Sequence, residues 1–453
     1  MKIKKTLLPI LALCLILSFV ACGKNEANDG KDTDASVADE TDTSKSDEGN
    51  QGSEDSEKDV VLRIAWWGSQ ARHDATVRVI QMYMEDNPHV DIQYEFYDFD
   101  GYFTKLNTLV ASNEVWDMFQ LGGNFPTYLD KIDTLDKYIE QGLIDVSNTT
   151  DAFLQTTAYN GEQIGISNGV NTYGVAYDPE LFAQAGVDEP DINWTWEDYY
   201  NACMKIHEEL GIYGSSKFDD FIGGASMGIS QEDFSLNFFA TSNDKLGFDD
   251  YTMLTDYIQM RADLTKAGAY PDPGAIAEIK DIEGDYIVTG EAAMTWVASN
   301  QFIALSEAAG RELKLAPAPR KKADGPSGST IQSSQMFCIS KDSQNPEEAA
   351  KFLNYFWTNE EANLVLAGER GNTIFSNVRE AQEEGQTAEQ LEVSAFVDLI
   401  GSFETGDINV ISPEPKTEIE DYYNLTIQKV IYDELTADEA AKDIFEFAKS
   451  KFE

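Results

Sequence analysis

Between residues 61 and 125 the hydrophobic period of the chain switches four times, and this alternation restricts the fold more than any other feature. Val61 to Trp66 is a short apolar run. A helical stretch from Ala71 to Asp86 follows, with Val77, Ile80, Tyr83 and Met84 on one face and Asn87-Pro88 as its stop. Val90, Ile92, Tyr94 and Phe96 then alternate with polar residues, the period of a strand. A second helix spans Tyr102 to Ser112, and the apolar run Val115 to Leu121 leads into Gly122-Gly123. Strand, helix, strand, helix, strand implies an α/β protein with a mostly parallel sheet covered by helices. Ligands of such sheets sit beyond the carboxyl ends of the strands. Two segments lie there: Trp67-Gly68-Ser69-Gln70 after the first strand and Gly122-Gly123-Asn124 after the third.

Farther along, punctuation is clear. Gly161-Glu162-Gln163-Ile164-Gly165-Ile166 reads as a hairpin-like pair and Asn171 to Tyr177 as a strand; Asp178-Pro179-Glu180 starts a helix that ends at Ala185-Gly186. Thr195 precedes Asp198 by three residues, and Thr436 precedes Glu439 by three, each the spacing of a capping box. Asn345-Pro346 reads as an asparagine cap with proline in the first turn. The last helix presents Ala440, Ile444, Phe447 and Ala448 on one face.

The amino terminus is of another kind. Lys2, Lys4 and Lys5 precede an uncharged apolar run from Leu7 to Val20, and Ala21-Cys22-Gly23 ends it, the layout of a secretory signal rather than of a membrane-spanning helix. Cysteine directly after a small residue resembles a bacterial lipoprotein signal, with Phe19 where that pattern usually has leucine. The resemblance implies removal of residues 1–21 and acylation of Cys22, palmitate included, on the extracytoplasmic face of the cell membrane. Residues 22–59 carry thirteen acidic side chains against four lysines beyond Cys22 and no aromatic residue. A segment with so little apolar surface cannot offset the entropy of ordering, so it is expected to be a disordered acidic spacer.

Charge and cysteine content exclude several functions. With 33 basic against 81 acidic residues the formal net charge is −48, which repels nucleic acid and anionic membrane surfaces. Beyond the signal only Cys203 and Cys338 remain, and their isolation suits buried apolar residues rather than a zinc site or a disulfide framework. Cys203 shares a helical spacing with Trp196, Tyr199, Ile206 and Leu210. His73, His89 and His207 are the only histidines, and no nucleophile or phosphate-loop motif accompanies them. No catalytic residue, cofactor or metal is implied, and a pair among so many acids says nothing about glycoside hydrolysis.

Three phrases in order carry a family resemblance. Gly161 to Ile166, Thr172-Tyr173-Gly174-Val175-Ala176-Tyr177-Asp178-Pro179-Glu180-Leu181-Phe182, Ala185-Gly186-Val187 and Thr195-Trp196-Glu197-Asp198 together form the first. Gly290-Glu291-Ala292-Ala293-Met294 is the second and Lys341 to Ala350 the third. With Trp66-Trp67-Gly68 and Arg72-His73 at the start, the chain from 60 to 453 resembles the extracellular solute-binding proteins of carbohydrate ABC importers, the maltose-binding-protein-like family 1. That resemblance implies a two-lobed periplasmic-binding-protein-like fold of type II, with a ligand cleft between lobes joined by a hinge. One lobe would comprise 60–168 with 318–372 and the other 171–315 with 375–453. Cys203 and Cys338 then fall in different lobes, and a bond between them would lock the hinge.

The expected activity is capture of a neutral mono- or oligosaccharide by a monomer that delivers it to the permease subunits and catalyses nothing. A polysaccharide-degrading or polysaccharide-holding surface protein is the alternative. Trp67, at the end of the first strand, offers a flat ring to a sugar, while Trp66 alternates into the core. Gln70 and Arg72 follow on the adjoining turn, and Arg72 offers hydrogen bonds across a cleft or merely a polar first helical turn. Asn124 and Asn171 resemble positions that are acidic sugar contacts in maltose-binding protein, with turn roles as the alternative for each. In the second phrase the family's stacking tryptophan falls near Asn300, with Ser299 beside it, whereas Trp296 comes earlier and fits either a stack or the core. Tyr173 and Tyr422 complete the candidate set, with packing as their alternative role.

Overall fold

Strand β1, Val60–Trp67, lies between two parallel neighbours, β2 (Val90–Tyr97) and β3 (Met118–Leu121), as the alternating periods require. This computed structural model describes residues 60–230, 237–240, 242–403 and 412–453. The signal, the spacer and Cys22 lie outside the described residues. The remaining strands are β4 (Ile132–Asp133), β5 (Ala158–Tyr159), β6 (Glu162–Gln163), β7 (Ile166–Tyr177), β8 (Tyr213–Ser215), β9 (Ala292–Ala298), β10 (Lys314–Ala316) and β11 (Ile331–Ser340).

One sheet runs β2-β1-β3-β11-β7-β9-β8, with β4 beside β11 and β10 beside β7. Its centre is the twelve-residue strand β7. From Ile166 to Thr172 this strand pairs antiparallel with β11; from Tyr173 to Tyr177 it pairs with β9, and β10 joins from the other side. β7 thus leaves one group of strands and enters another between Thr172 and Tyr173. Hydrophobic cores lie on both sides of that switch. Leu62, Ile64 and Trp66 of β1 face one core, while Ala65 faces a second core filled by Tyr102, Leu106 and Phe119. Cys203, Tyr257, Met294 and Tyr423 belong to a third. Cys203 and Cys338 are both buried and free, in different cores.

Local expectations fare unevenly. Helix Gln70–Asp86 ends at Asn87, but its buried face is His73, Thr76, Val79, Ile80 and Tyr83, not Val77 and Met84, which are only half-buried. The polar members are buried because each has a partner: His73 accepts the Trp66 indole N–H at 3.1 Å, and Thr76 accepts from the Arg370 guanidinium at 2.8 Å. The second helix begins earlier than its apolar spacing suggests, at Phe99, because the Asp98 carboxylate caps it by accepting from the Gly101 N–H. The hairpin pairs Ala158–Tyr159 with Glu162–Gln163 around Asn160-Gly161, both with positive φ, while Ile166 opens the long strand instead. Thr195 and Thr436 form the expected capping boxes. Asn345 does not cap with its side chain, which donates instead to the Val61 carbonyl at 3.5 Å.

Candidate functional site

At the carboxyl edge of the parallel strands, Trp67 is half-buried and packs on Phe99, Tyr102 and Phe103. Gly122 lies between Trp67 and Asn124: a Cβ there would lie 3.9 Å from the Trp67 ring and 4.0 Å from the Asn124 side-chain oxygen, ordinary contact distances. Asn124 is exposed, and its oxygen accepts from the Gly122 N–H at 3.3 Å. Trp67 and Asn124 are therefore brought together. Gln70 and Arg72 are turned to other partners. Gln70 donates to Asp74 at 2.8 Å, and Arg72 donates twice to the Glu369 carbonyl, at 2.9 and 2.8 Å.

A cavity of ≈ 310 Å³ opens where β7 changes partners. Tyr173 and Trp296 contribute from β7 and β9, Gln332 from β11, Phe221 from the helix Asp220–Ile229, and Lys416 and Glu420 from the helix Lys416–Ile431. Trp296 does not present a free face. Phe218 stacks on it with ring centroids 4.0 Å apart and planes 16° apart, and Trp196 stacks at 5.6 Å. Trp296 is 7 % exposed, so it is the centre of an aromatic sandwich whose outer member, Phe218, is half-buried. Phe218 also meets Tyr173 edge to face. Burial first, then the negative charges of Asp219 and Glu420, raises the Tyr173 hydroxyl above its ordinary pKa, so it stays a neutral donor. Glu420 pairs with Lys416 at 3.3 Å, one helical turn away.

A second cavity, ≈ 400 Å³, takes Asn171, Ser299 and Asn300 together with Asn372, Gln390 and Ser394. It is rich in amides and hydroxyls and, among the described residues, has no aromatic ring in its wall. Ser299 is buried, and its hydroxyl accepts from the Thr172 N–H at 3.2 Å, which holds the turn after β9 against the switch point of β7. Asn171 lies directly opposite Gln332 in the β7–β11 register, so the two cavities adjoin across that pair. Tyr422 belongs to neither. Its ring stacks on Phe447 at 3.7 Å and its hydroxyl donates to Asp443 at 2.9 Å.

Sequence reasoning missed Phe221 and Glu420 in the cavity wall, and Phe218, which packs on Trp296 beside it. Glu420 sits two residues before the tyrosine chosen, on the helix face that meets the cavity, and the Lys416/Glu420 spacing of one turn was the available signal. Phe218 follows the short strand β8 and has no periodic neighbour to mark it. Among the described residues, no group of three or more His, Cys, Asp or Glu side chains is placed to hold a metal ion. Among the described residues, nothing in either cavity wall pairs a nucleophile with a base.

Comparison with known proteins agrees with this architecture. A family 1 extracellular solute-binding protein from Alicyclobacillus acidocaldarius superposes with a TM-score of 0.77 at 25% identity, over 88% of this chain and 100% of that one. A periplasmic oligogalacturonide-binding protein from Yersinia enterocolitica superposes at 0.73 with 20% identity, over 86% and 98%, and so shows the shared two-lobed fold alone. In sequence, the chain is 22% identical to the putative ABC transporter periplasmic-binding protein YcjN of Escherichia coli (strain K12) over 231 residues, 47% of this chain. The chain spans about half the length of that curated relative, 50%. The family model described as bacterial extracellular solute-binding protein matches residues 68–363, well over half of the chain, and the chain belongs to that family.

Proposed function

We propose that this protein captures a neutral mono- or oligosaccharide between its lobes and hands it to the permease of an ABC importer, itself performing no chemistry. The observation that carries the reading is the cavity at the switch of β7. There the Tyr173 and Phe221 rings adjoin Gln332 and the Glu420 carboxylate. Aromatic rings cover the apolar faces of a sugar while amides and carboxylates accept from its hydroxyls. Among the described residues acids outnumber cations around this cavity, since Asp219 and Glu420 act on Tyr173 and Lys416 is already paired, so an anionic uronide is disfavoured relative to a neutral ring. Closure follows the usual logic of a hinge: a ligand touching both lobes stabilises the closed arrangement over the open one. We take the lobes as 60–168 with 318–372 and 171–315 with 375–453. Trp67, Asn124, Asn171, Tyr173, Ser299 and Asn300 are assigned to the ligand, and Trp296 supports it from beneath.

Cys22 is proposed as an acylated anchor outside the membrane, with the acidic spacer holding the binding unit away from it. More than one acyl chain makes such attachment durable, since one chain anchors weakly. A thermal-shift screen tests the substrate class, because a ligand that binds only the folded form raises the melting temperature. Neutral sugars are expected to stabilise. Stabilisation by amino acids or peptides and by no sugar overturns the reading, and release of reducing ends from a polysaccharide favours the hydrolase alternative.

A further inference from the structure

Phe99 is the most exposed aromatic side chain among the described residues, 56 % accessible, yet it is neither isolated nor on a distant face. It occupies the first position of the helix Phe99–Ser112, two residues beyond the end of β2, where Tyr97 pairs with Trp67 of β1. Its ring stands edge-on to Trp67, centroids 5.5 Å apart and planes at 86°, and it packs on Phe103 at 4.9 Å. The Asp98 cap fixes the backbone beneath it. Phe99 and Asn124 thus each adjoin Trp67 at the carboxyl edge of the parallel strands, with the Phe99 ring the most exposed ring there. Leaving a phenylalanine more than half in water gives the fold little, because the rings behind it already close the core.

The geometry points to Phe99 as a specificity-determining residue, the platform of an outer subsite that takes the apolar face of a further ring of an oligosaccharide and so selects chain length. This rests on the carbohydrate reading above. One feature supports a ligand rather than a protein partner: Asn124, across Gly122 from the half-buried Trp67 ring, is an exposed amide suited to hydroxyls. The inner cavity holds the shorter part of the ligand, and the Phe99 ring adds affinity only when another ring reaches it.

The test is calorimetric titration of the full chain and of Phe99→Ala and Phe99→Tyr with homologous neutral series, mono- to hexasaccharide, of α- and β-linked glucose, xylose and mannose. Phe99→Ala is expected to keep the wild-type melting temperature and its affinity for the shortest binding sugar, and to lose roughly tenfold for the longer members. Phe99→Tyr restores them, because the ring face is kept. Equal loss across all lengths, or no loss at any length, overturns the outer subsite while leaving the carbohydrate reading intact. Binding by no member of any series overturns both.

Discussion

Phe218 lies flat on Trp296, with ring centroids 4.0 Å apart, and Trp196 covers the opposite face of the same indole. The tryptophan is thereby a nearly buried member of the cavity wall, and the phenylalanine braces it and Tyr173 from beside the cavity. Phe218→Ala is expected to weaken saccharide binding about tenfold with a small change in stability. Trp296→Ala is expected to destabilise the fold by about 3–5 kcal/mol. Denaturant unfolding and calorimetric titration of both variants separate the two roles; a stable Trp296→Ala with lost binding contradicts them.

Glu420 reaches the cavity one turn from its partner Lys416. Glu420→Ala is expected to lower saccharide affinity by roughly tenfold to a hundredfold, because a hydrogen bond to a charged group contributes about 1.5–3 kcal/mol. Tyr422→Phe, whose hydroxyl is engaged with Asp443, leaves affinity unchanged. Titration of the two variants decides it, and the reverse pattern contradicts the placement of this helix.

Much of this was legible in sequence, and the shortfall has a pattern. The first three strands and the punctuating helices follow from period and capping, because Thr195, Thr436 and Asn87-Pro88 act through local geometry. The placement of Trp67 and Asn124 at one edge of the sheet follows because strand ends in a parallel sheet are predictable from chain order. The division of Asn171 from Tyr173 between two cavities was not legible, since it depends on which strand each half of β7 pairs with. Nor was the buried role of Thr76 and His73, whose partners Arg370 and Trp66 are brought in by tertiary packing.

Arg370 is 3 % exposed and, among the described residues, no carboxylate is paired with it. Its guanidinium donates to Gln120 at 2.7 Å, Thr76 at 2.8 Å and Gln335 at 3.3 Å, and lies over the Phe337 ring at 4.9 Å. Burial, and then the charge of Arg72, holds its pKa well below the usual arginine range. Arg370→Lys is expected to cost about 2–4 kcal/mol of stability, because a single ammonium cannot reach three separate acceptors. Denaturant unfolding checks it, and a loss below about half a kcal/mol contradicts the packing described.

Gly169, on β7 close to the switch, allows the loop after helix Glu360–Leu366 to lie against the strand. A Cβ there would stand 2.4 Å from the Arg370 carbonyl oxygen and 2.8 Å from Gly371 backbone atoms. Gly169→Ala is expected to destabilise by about 1–3 kcal/mol, since the obstruction is backbone and cannot rotate away. Unchanged thermal unfolding of the variant contradicts that close approach.

Alkaline pH should weaken the fold. Burial, followed by hydrogen bonding to Asp133, pushes the Tyr138 hydroxyl up to about 12, and burial with the Glu95 hydrogen bond does the same to Tyr97. Both groups start from 10.0, so the folded state holds more protons than the unfolded chain between about 10 and 12. Their contribution is fully present below about pH 10 and is lost as pH rises toward 12. Scanning calorimetry from about pH 9 to 11 is expected to show a falling melting temperature; a rise contradicts the burial of these hydroxyls.

The central claim is that a neutral saccharide occupies the cavity where β7 exchanges partners. A crystal structure of the protein with the sugar that stabilises it most tests this directly. The account predicts a sugar ring packed on Tyr173 or Phe221, with hydroxyls bonded to Glu420 and Gln332, and the lobes drawn together relative to the unliganded protein. A sugar bound away from those four side chains, or a bound state with the lobes unmoved, contradicts it.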